Sequence, residues 1–250
     1  SNINSLDLNS IIVSQGFIGC DNSGETTTLG REGSDFSAAI FGYCCNAKSV
    51  TIWKDVAGVL NADPKHFPDA TKIDKLSYRE AIELSYYGAT VIHPKTIKPL
   101  ENKEIPLFVK SFLNPEDEGT VVQKLTAFDG KKPSYIFIED QILVSISPKD
   151  FSFIAEDNMS FIFDKLALAK IKVNLIQNSA LSFSVCFKNE ETKVNQFFDS
   201  IRGSFLVKYN EGVTLLTIRH YTQGVLDEMT KNKTIFLEQK TRHTARFVLK

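Results

Sequence analysis

The run Thr26-Thr27-Thr28-Leu29-Gly30-Arg31-Glu32-Gly33-Ser34-Asp35 ends where an apolar pattern of helical spacing begins, near Phe36. Two glycines, a hydroxyl cluster and a Ser/Asp N-cap at a helix start leave backbone N–H groups free at the positive end of the helix dipole. That setting suits an anion. Arg31 adds a planar fork that holds a carboxylate or phosphate through two hydrogen bonds. Asp35 fits a bare anion site poorly and makes sense there if it orients a lysine or another donor. The same residues also serve a capped helix after a tight turn, and spacing alone leaves both readings open.

Two further segments carry groups of interest. Ile52-Trp53-Lys54-Asp55, followed by Ala62-Asp63-Pro64-Lys65, places charged groups beyond the carboxyl end of a strand, where ligands of open α/β sheets bind. Thr90-Val91-Ile92-His93-Pro94-Lys95 holds a lone histidine, which is more often structural than catalytic.

The elements that would position these groups follow from periodicity. Ile11-Ile12-Val13-Ser14 reads as a buried strand, Phe36 to Ala47 as a helix and Ser49 to Trp53 as a strand. Ser77-Tyr78-Arg79-Glu80 is a capping box and Gly88 a left-handed C-cap, which predicts a helix over 77–88. Val91-Ile92 reads as a short strand, Pro94 as the first turn of a helix, Ile105 to Val109 as a strand and Asn114 to Gly119 as a polar turn.

Beyond a boundary placed near 123–134, strands lengthen and helices become fewer. Strands at Ile142–Ile146, Lys172–Ile176, Leu181–Phe187 and Phe205–Tyr209, with helices at Met159–Ala169 and Thr192–Ile201, spell β-α-β-β-α-β, the ferredoxin-like order. Strands at Val213–Arg219, Thr234–Gln239 and Ala245–Leu249, with a helix at Gly224–Met229, suggest a second, incomplete copy. The expected division is 1–125, 126–210 and 211–250.

Composition narrows the function classes. With 29 Lys+Arg against 30 Asp+Glu, the net charge of −1 supplies none of the cationic excess that nucleic-acid binding needs. No apolar run approaches the roughly 20 residues that span a bilayer, and no basic-then-apolar leader opens the chain. A cytoplasmic location is expected. Cys20, Cys44, Cys45 and Cys186 form no C-x-x-C pair and have no histidine at zinc-site spacing, so no metal site is expected. Cys44 and Cys45, in an apolar helical stretch, read as reduced core fillers.

Taken in order, seven segments resemble the aspartate kinase family of the amino acid kinase superfamily: Gln15 to Gly19, Thr26 to Asp35, Ile52 to Val56, Ala62 to Pro64, Leu76 to Ala81, Tyr87 to Ala89 and Val91 to Pro94. The tail resembles the ACT regulatory modules that follow the kinase domain in that family. The resemblance implies an α/β fold: the C-terminal half of a carbamate-kinase-like domain, then ferredoxin-like ACT modules, the second shortened. It implies ATP-dependent phosphorylation of L-aspartate, with Mg²⁺ on the phosphates, in a homo-oligomer paired through its ACT modules. Arg31 would hold a substrate carboxylate, Thr28 and Ser34 would contact the substrate, and Asp35 would orient the catalytic lysine. Lys54, Asp55, Asp63 and Lys65 would contact the nucleotide.

The departures are also legible. The family's Lys-Phe-Gly-Gly motif carries the lysine that meets the transferring phosphoryl group, and this chain has no Gly-Gly. The chain is therefore expected to be an inactive fragment of a longer enzyme, with Ser1-Asn2 a candidate cloning scar. Glu32 stands where Gly or Asn is frequent, Lys54 where Thr is, and Thr90 where Lys is. Family effectors bind near segments that map here to Ser147–Met159 and Val173–Ser179, giving Ser147, Asp157, Asn174, Ile176, Gln177, Asn178 and Ser179 as candidate contacts. Asn174 and Ala180 replace acidic residues of lysine-inhibited relatives, which weakens attraction for a cationic effector. Lysine, threonine or no effector stay open, as does the alternative that the chain is an amino-acid-sensing module without chemistry.

Overall fold

In a computed structural model, residues 10–89, 91–130, 132–150 and 152–250 are described, and Ser1, Asn2 and Thr90 lie outside them. The chain divides into two units, meeting at Ile136 and Phe137. In the first, β1 (Ile18–Cys20) and β2 (Thr26–Thr28) form an antiparallel hairpin. Hydrogen bonds from the amides of Glu25 and Ser23 close its turn and hold the Asp21 carboxyl below the usual range. Helix α1 (Gly33–Cys44) follows, then β3 (Val50–Lys54), β4 (Lys75–Ser77), α2 (Tyr78–Tyr87), α3 (Pro94–Asn102), β5 (Leu107–Ser111) and β6 (Thr120–Gln123).

The sheet order is β3-β5-β6-β4, with β3 parallel to β5 and β4 parallel to β6. Val50 and Ile52 are buried while Thr51 and Trp53 are exposed, the alternation of a strand with one covered face. That face packs with Leu107, Val109 and Val122 against Ala39, Leu84, Ile97 and Leu100.

Local signals set the helix ends. The amide of Glu80 donates to Ser77 Oγ at 3.0 Å, and Gly88 closes α2 at φ 117°. His93 turns out to be an N-cap: its Nδ1 accepts from the Lys95 amide, with Pro94 at the first helical position.

Four expectations for the first unit are corrected. Residues 11–14 are not a strand, and Ile11 and Val13 are 96% and 91% exposed, because no strand among the described residues pairs with them. Residues 91–92 form a bend, and the Ile92 carbonyl is taken by Ser85 Oγ instead of a ladder partner. Helix α1 begins at Gly33, not near Phe36, since its polar first turn is invisible to apolar periodicity. Cys44 and Cys45 are exposed thiols, because the buried stripe of α1 runs through Asp35, Ala39 and Gly42 and the helix ends before turning back to it.

The second unit uses β7 (Ser134–Pro148, entered partway), α4 (Glu156–Leu168), β8 (Val173–Asn178), β9 (Phe183–Lys188), α5 (Glu191–Ile201) and β10 (Phe205–Arg219), followed by α6 (Gln223–Thr230), β11 (Ile235–Lys240) and β12 (Thr244–Leu249). The sheet order β10-β7-β9-β8 is the ferredoxin-like arrangement the sequence predicts, and β12 and β11 extend it beyond β10. Ile142, Val144 and Ile146 pack with Ile162, Leu166, Phe197 and Phe198 of the helices. A second core joins Leu143, Leu175 and Cys186 to Val213, Leu215, Leu237 and Val248. Cover on both faces explains why these strands read as nearly continuous apolar runs. Strand β10 is one element where two were expected, since its exposed stretch at 208–212 has turn composition, and a left-handed Gly212 at φ 62°, yet the strand continues through it.

Candidate active site at the start of helix α1

The β1–β2 hairpin is fastened to the beginning of α1. Leu29 N–H donates to the Phe17 carbonyl at 2.8 Å, and Phe17 N–H donates to Ser37 Oγ at 2.9 Å. The Ser37 hydroxyl in turn donates to the Gly33 carbonyl, also at 2.9 Å. Gly33 is required here: a Cβ would lie 2.7 Å from the Phe17 ring. The buried Ser37 was not singled out from sequence, because a serine in a helix carries no mark of its long-range partner.

This clamp presents Thr28, Arg31 and Ser34 to solvent at the N-terminal end of α1, while Asp35 points inward and is buried. Lys54 ends β3 on the face shared by Val50 and Ile52, so its side chain is aimed toward α1. Its Nζ lies 2.6 Å from Asp35 Oδ2, with the two side chains 25% and 11% exposed. This ion pair joins two of the sequence-predicted residues across 19 positions. Asp55 is exposed at the same strand end.

Glu32 is the α1 N-cap, at φ 55°, and its Oε2 is buried with no hydrogen-bond partner. Asp63 and Lys65 sit in a turn of their own, where the Lys65 amide donates to Asp63 Oδ1 at 2.9 Å. The segment between β3 and that turn is held by residues not marked beforehand: Thr120 Oγ1 accepts from Val59 N–H at 2.8 Å and donates to the Ile73 carbonyl at 2.6 Å. Among the described residues, no group of three or more His, Cys, Asp or Glu side chains could cage a metal ion.

In the second unit, the first segment expected to bind an effector meets the residue that follows the second, since Ile154 N–H donates to the Ala180 carbonyl at 2.9 Å. Ser147 lies on β7, Asp157 in the first turn of α4, and Asn174, Ile176, Gln177 and Asn178 on β8. Ser179 and Ser182 close the β8–β9 turn on each other. Asn174 is already engaged, donating from Nδ2 to Gln141 Oε1 at 2.8 Å. No helix among the described residues is long and apolar enough to cross a membrane.

An α/β sheet with a glycine-flanked Arg-Ser-Asp loop opening a helix defines the class: residues 3–111 match the amino acid kinase family. Within that family the chain is similar to the aspartokinases over most of its length. The chloroplastic bifunctional aspartokinase/homoserine dehydrogenase 2 of Zea mays is 37% identical over 189 residues, covering 74% of this chain and 20% of the relative. Lysine-sensitive aspartokinase 3 of Escherichia coli is 36% identical over 179 residues, covering 70% of this chain and 39% of the relative. The crystal structure of E. coli aspartokinase III with aspartate and ADP matches at a TM-score of 0.74 and 29% identity, covering 94% of this chain and 56% of that one. The chain therefore spans well under half the length of these curated relatives.

Proposed function

We propose that this chain is part of an aspartate kinase that transfers the γ-phosphoryl group of ATP to the side-chain carboxylate of L-aspartate. A carboxylate oxygen attacks the γ-phosphorus, the bond to the β-phosphate oxygen breaks, and 4-phospho-L-aspartate and ADP leave. The product is the activated acid from which lysine, threonine and methionine are built. The observation that carries this reading is the Gly30-Arg31-Glu32-Gly33-Ser34-Asp35 loop at the start of α1, with the Asp35–Lys54 pair beneath it. The aspartate and ADP held by the E. coli relative support it.

In this reading Arg31 grips a carboxylate of the substrate, Thr28 and Ser34 hydrogen-bond it, and Asp35 orients a lysine. Lys54, Asp55, Asp63 and Lys65 serve the nucleotide. Mg²⁺ bound to the phosphates would supply charge neutralisation there. The chemistry is positioning and charge compensation. The 250 residues alone are expected not to turn over. The test is aspartyl-phosphate formation, trapped with hydroxylamine, by the full-length protein and by this chain. Acetylglutamate and glutamate serve as competing acceptors, and a preference for either would sink the assignment.

A second reading rests on the Ile154–Ala180 contact, which ties the first candidate effector segment to the residue that follows the second. It makes the tail an amino-acid-sensing unit that also pairs two copies of the chain. A thermal-shift titration with lysine, threonine and methionine tests it, because a ligand that prefers the folded state raises the melting temperature. No shift with any of the three would leave pairing as the tail's role.

A further inference from the structure

Helix α1 buries its small residues and shows its large ones. Its inward stripe runs through Ala39 and Gly42, and a Cβ at Gly42 would run into Val50 Cγ2, so the helix lies close on the sheet. Phe36, Ile40 and Tyr43 share a different row, at i, i+4 and i+7, and Ile40 and Tyr43 are exposed. The core takes Ala39 from α1 and uses none of these three.

The three form one wall of a groove of about 380 Å³, whose other wall is Lys95, Lys98, Pro99 and Asn102 of α3. Lys103, the α3 C-cap, closes the far end: its Nζ donates to the Tyr43 carbonyl at 2.6 Å and lies 4.1 Å from the centre of the Tyr43 ring. That lysine is engaged. Lys95 and Lys98 are exposed, and neither ammonium group has a side-chain partner among the described residues. Lys95 also sits in the first turn of α3, where the helix dipole disfavours a cation, so helix stability does not account for it.

We propose that this groove binds an elongated apolar carboxylate, its head on Lys95 and Lys98 and its chain along Ile40, Tyr43 and Pro99. Charge decides the occupant. Among the described residues no acidic side chain lines the groove, and Glu101, the one acid of α3, lies off the row of Lys95, Lys98 and Asn102. Two unanswered cations at one end of an apolar trough match one anionic head on an apolar body, and the volume is that of a small-molecule pocket. Thr28, Arg31, Ser34, Asp35 and Lys54 do not line it, so the inference stands without the kinase reading. A bound acid would nonetheless rest on the helix whose first turn carries Ser34 and Asp35.

The experiment measures equilibrium binding of octanoate to the full-length protein, beside octanol, which keeps the chain and loses the charge, and acetate, which keeps the charge and loses the chain. Octanoate is expected to bind roughly tenfold or more tighter than octanol, the worth of a charged hydrogen bond, and acetate not measurably. Lys98→Met, which keeps an apolar stem, should bring octanoate down toward octanol and leave octanol unchanged. Ile40→Glu should abolish binding of both. Ile40 and Lys98 are exposed, so neither change disturbs the core, and an unaltered melting temperature verifies this. Equal affinity for octanoate and octanol, or octanoate binding that both variants retain, overturns the proposal. So does a protein that binds no octanoate, including one whose groove takes a synthetic acidic amphipathic helix instead.

Discussion

Arg246 donates from Nη2 to the backbone carbonyl of Asn174 at 2.7 Å, although β10, β7 and β9 stand between their strands in the sheet. In a flat sheet, β12 and β8 would be about 19 Å apart at the usual strand spacing. The sheet therefore curls back on itself, and Gln239 Nε2 makes a second tie across the gap to the Ile176 carbonyl at 2.6 Å. Both acceptors belong to β8, which carries four of the candidate effector residues.

Removing the first tie should loosen β8 before anything else. Arg246→Ala is expected to lower local stability by about 2 kcal/mol, the range for a hydrogen bond from a charged donor. The readout is hydrogen exchange, with amides of Val173–Asn178 exchanging roughly tenfold faster or more. Unchanged protection in β8 would show that the contact contributes nothing.

Glu32 occupies a left-handed backbone conformation and buries an oxygen with no partner. Glu32→Gly removes both costs and an acidic charge from the N-terminal end of α1, where the proposed substrates would bind. The expected result is a gain of about 1 kcal/mol in stability and a lower KM for ATP in the full-length protein. A variant that melts earlier than the parent would contradict the first half.

Alkaline pH should destabilise each unit through one buried group. Burial pushes the Cys186 thiol from its ordinary 9.0 up to about 12, against a smaller opposing pull from Arg246. Burial first, and then the charges of Glu104 and Glu101, push Tyr78 from 10.0 up to about 12. In both cases the folded state holds its proton longer than the unfolded chain. The stabilisation is complete below the lower value and is lost as pH rises toward the upper one. Urea midpoints should therefore fall from about pH 9 for the second unit and pH 10 for the first. Cys186→Ala should flatten the slope of the second unit, and Tyr78→Phe that of the first, whatever each does to absolute stability.

The same burial separates the cysteines by reactivity. Cys20, Cys44 and Cys45 are exposed and Cys186 is buried. A thiol reagent at pH 8 should modify three cysteines quickly in the native protein and the fourth only in denaturant. Modification of Cys186 at a comparable rate would mean that the second core opens readily.

What could be seen in the sequence was local. Ser77, Glu80 and Gly88 mark both ends of α2 within one short stretch, and the ferredoxin-like order of the tail follows from strand and helix periods alone. Residues 11–14 have the composition of a strand, but a strand is a pairing, and no pattern within four residues says where the partner is. The Asp35–Lys54 contact is of the same kind. Each residue stood out by type and position, yet their meeting depends on the end of β3 arriving beside the start of α1. His93 shows the opposite case, in which a residue that invited a chemical role is used up by the helix it caps.

Strand β10 supplies residues to two cores at once. Phe205 and Val207 belong to the helix-covered one, and Val213 and Leu215 to the other. All four are odd-numbered and would share one face of an unbroken strand, yet the two cores lie on opposite faces, because Ile142 and Val144 of β7 enter the first and Leu143 between them the second. The change of face falls in the exposed 208–212 stretch, where Gly212 sits at φ 62°. One strand thereby turns over once along its length and serves a core on each side of the sheet.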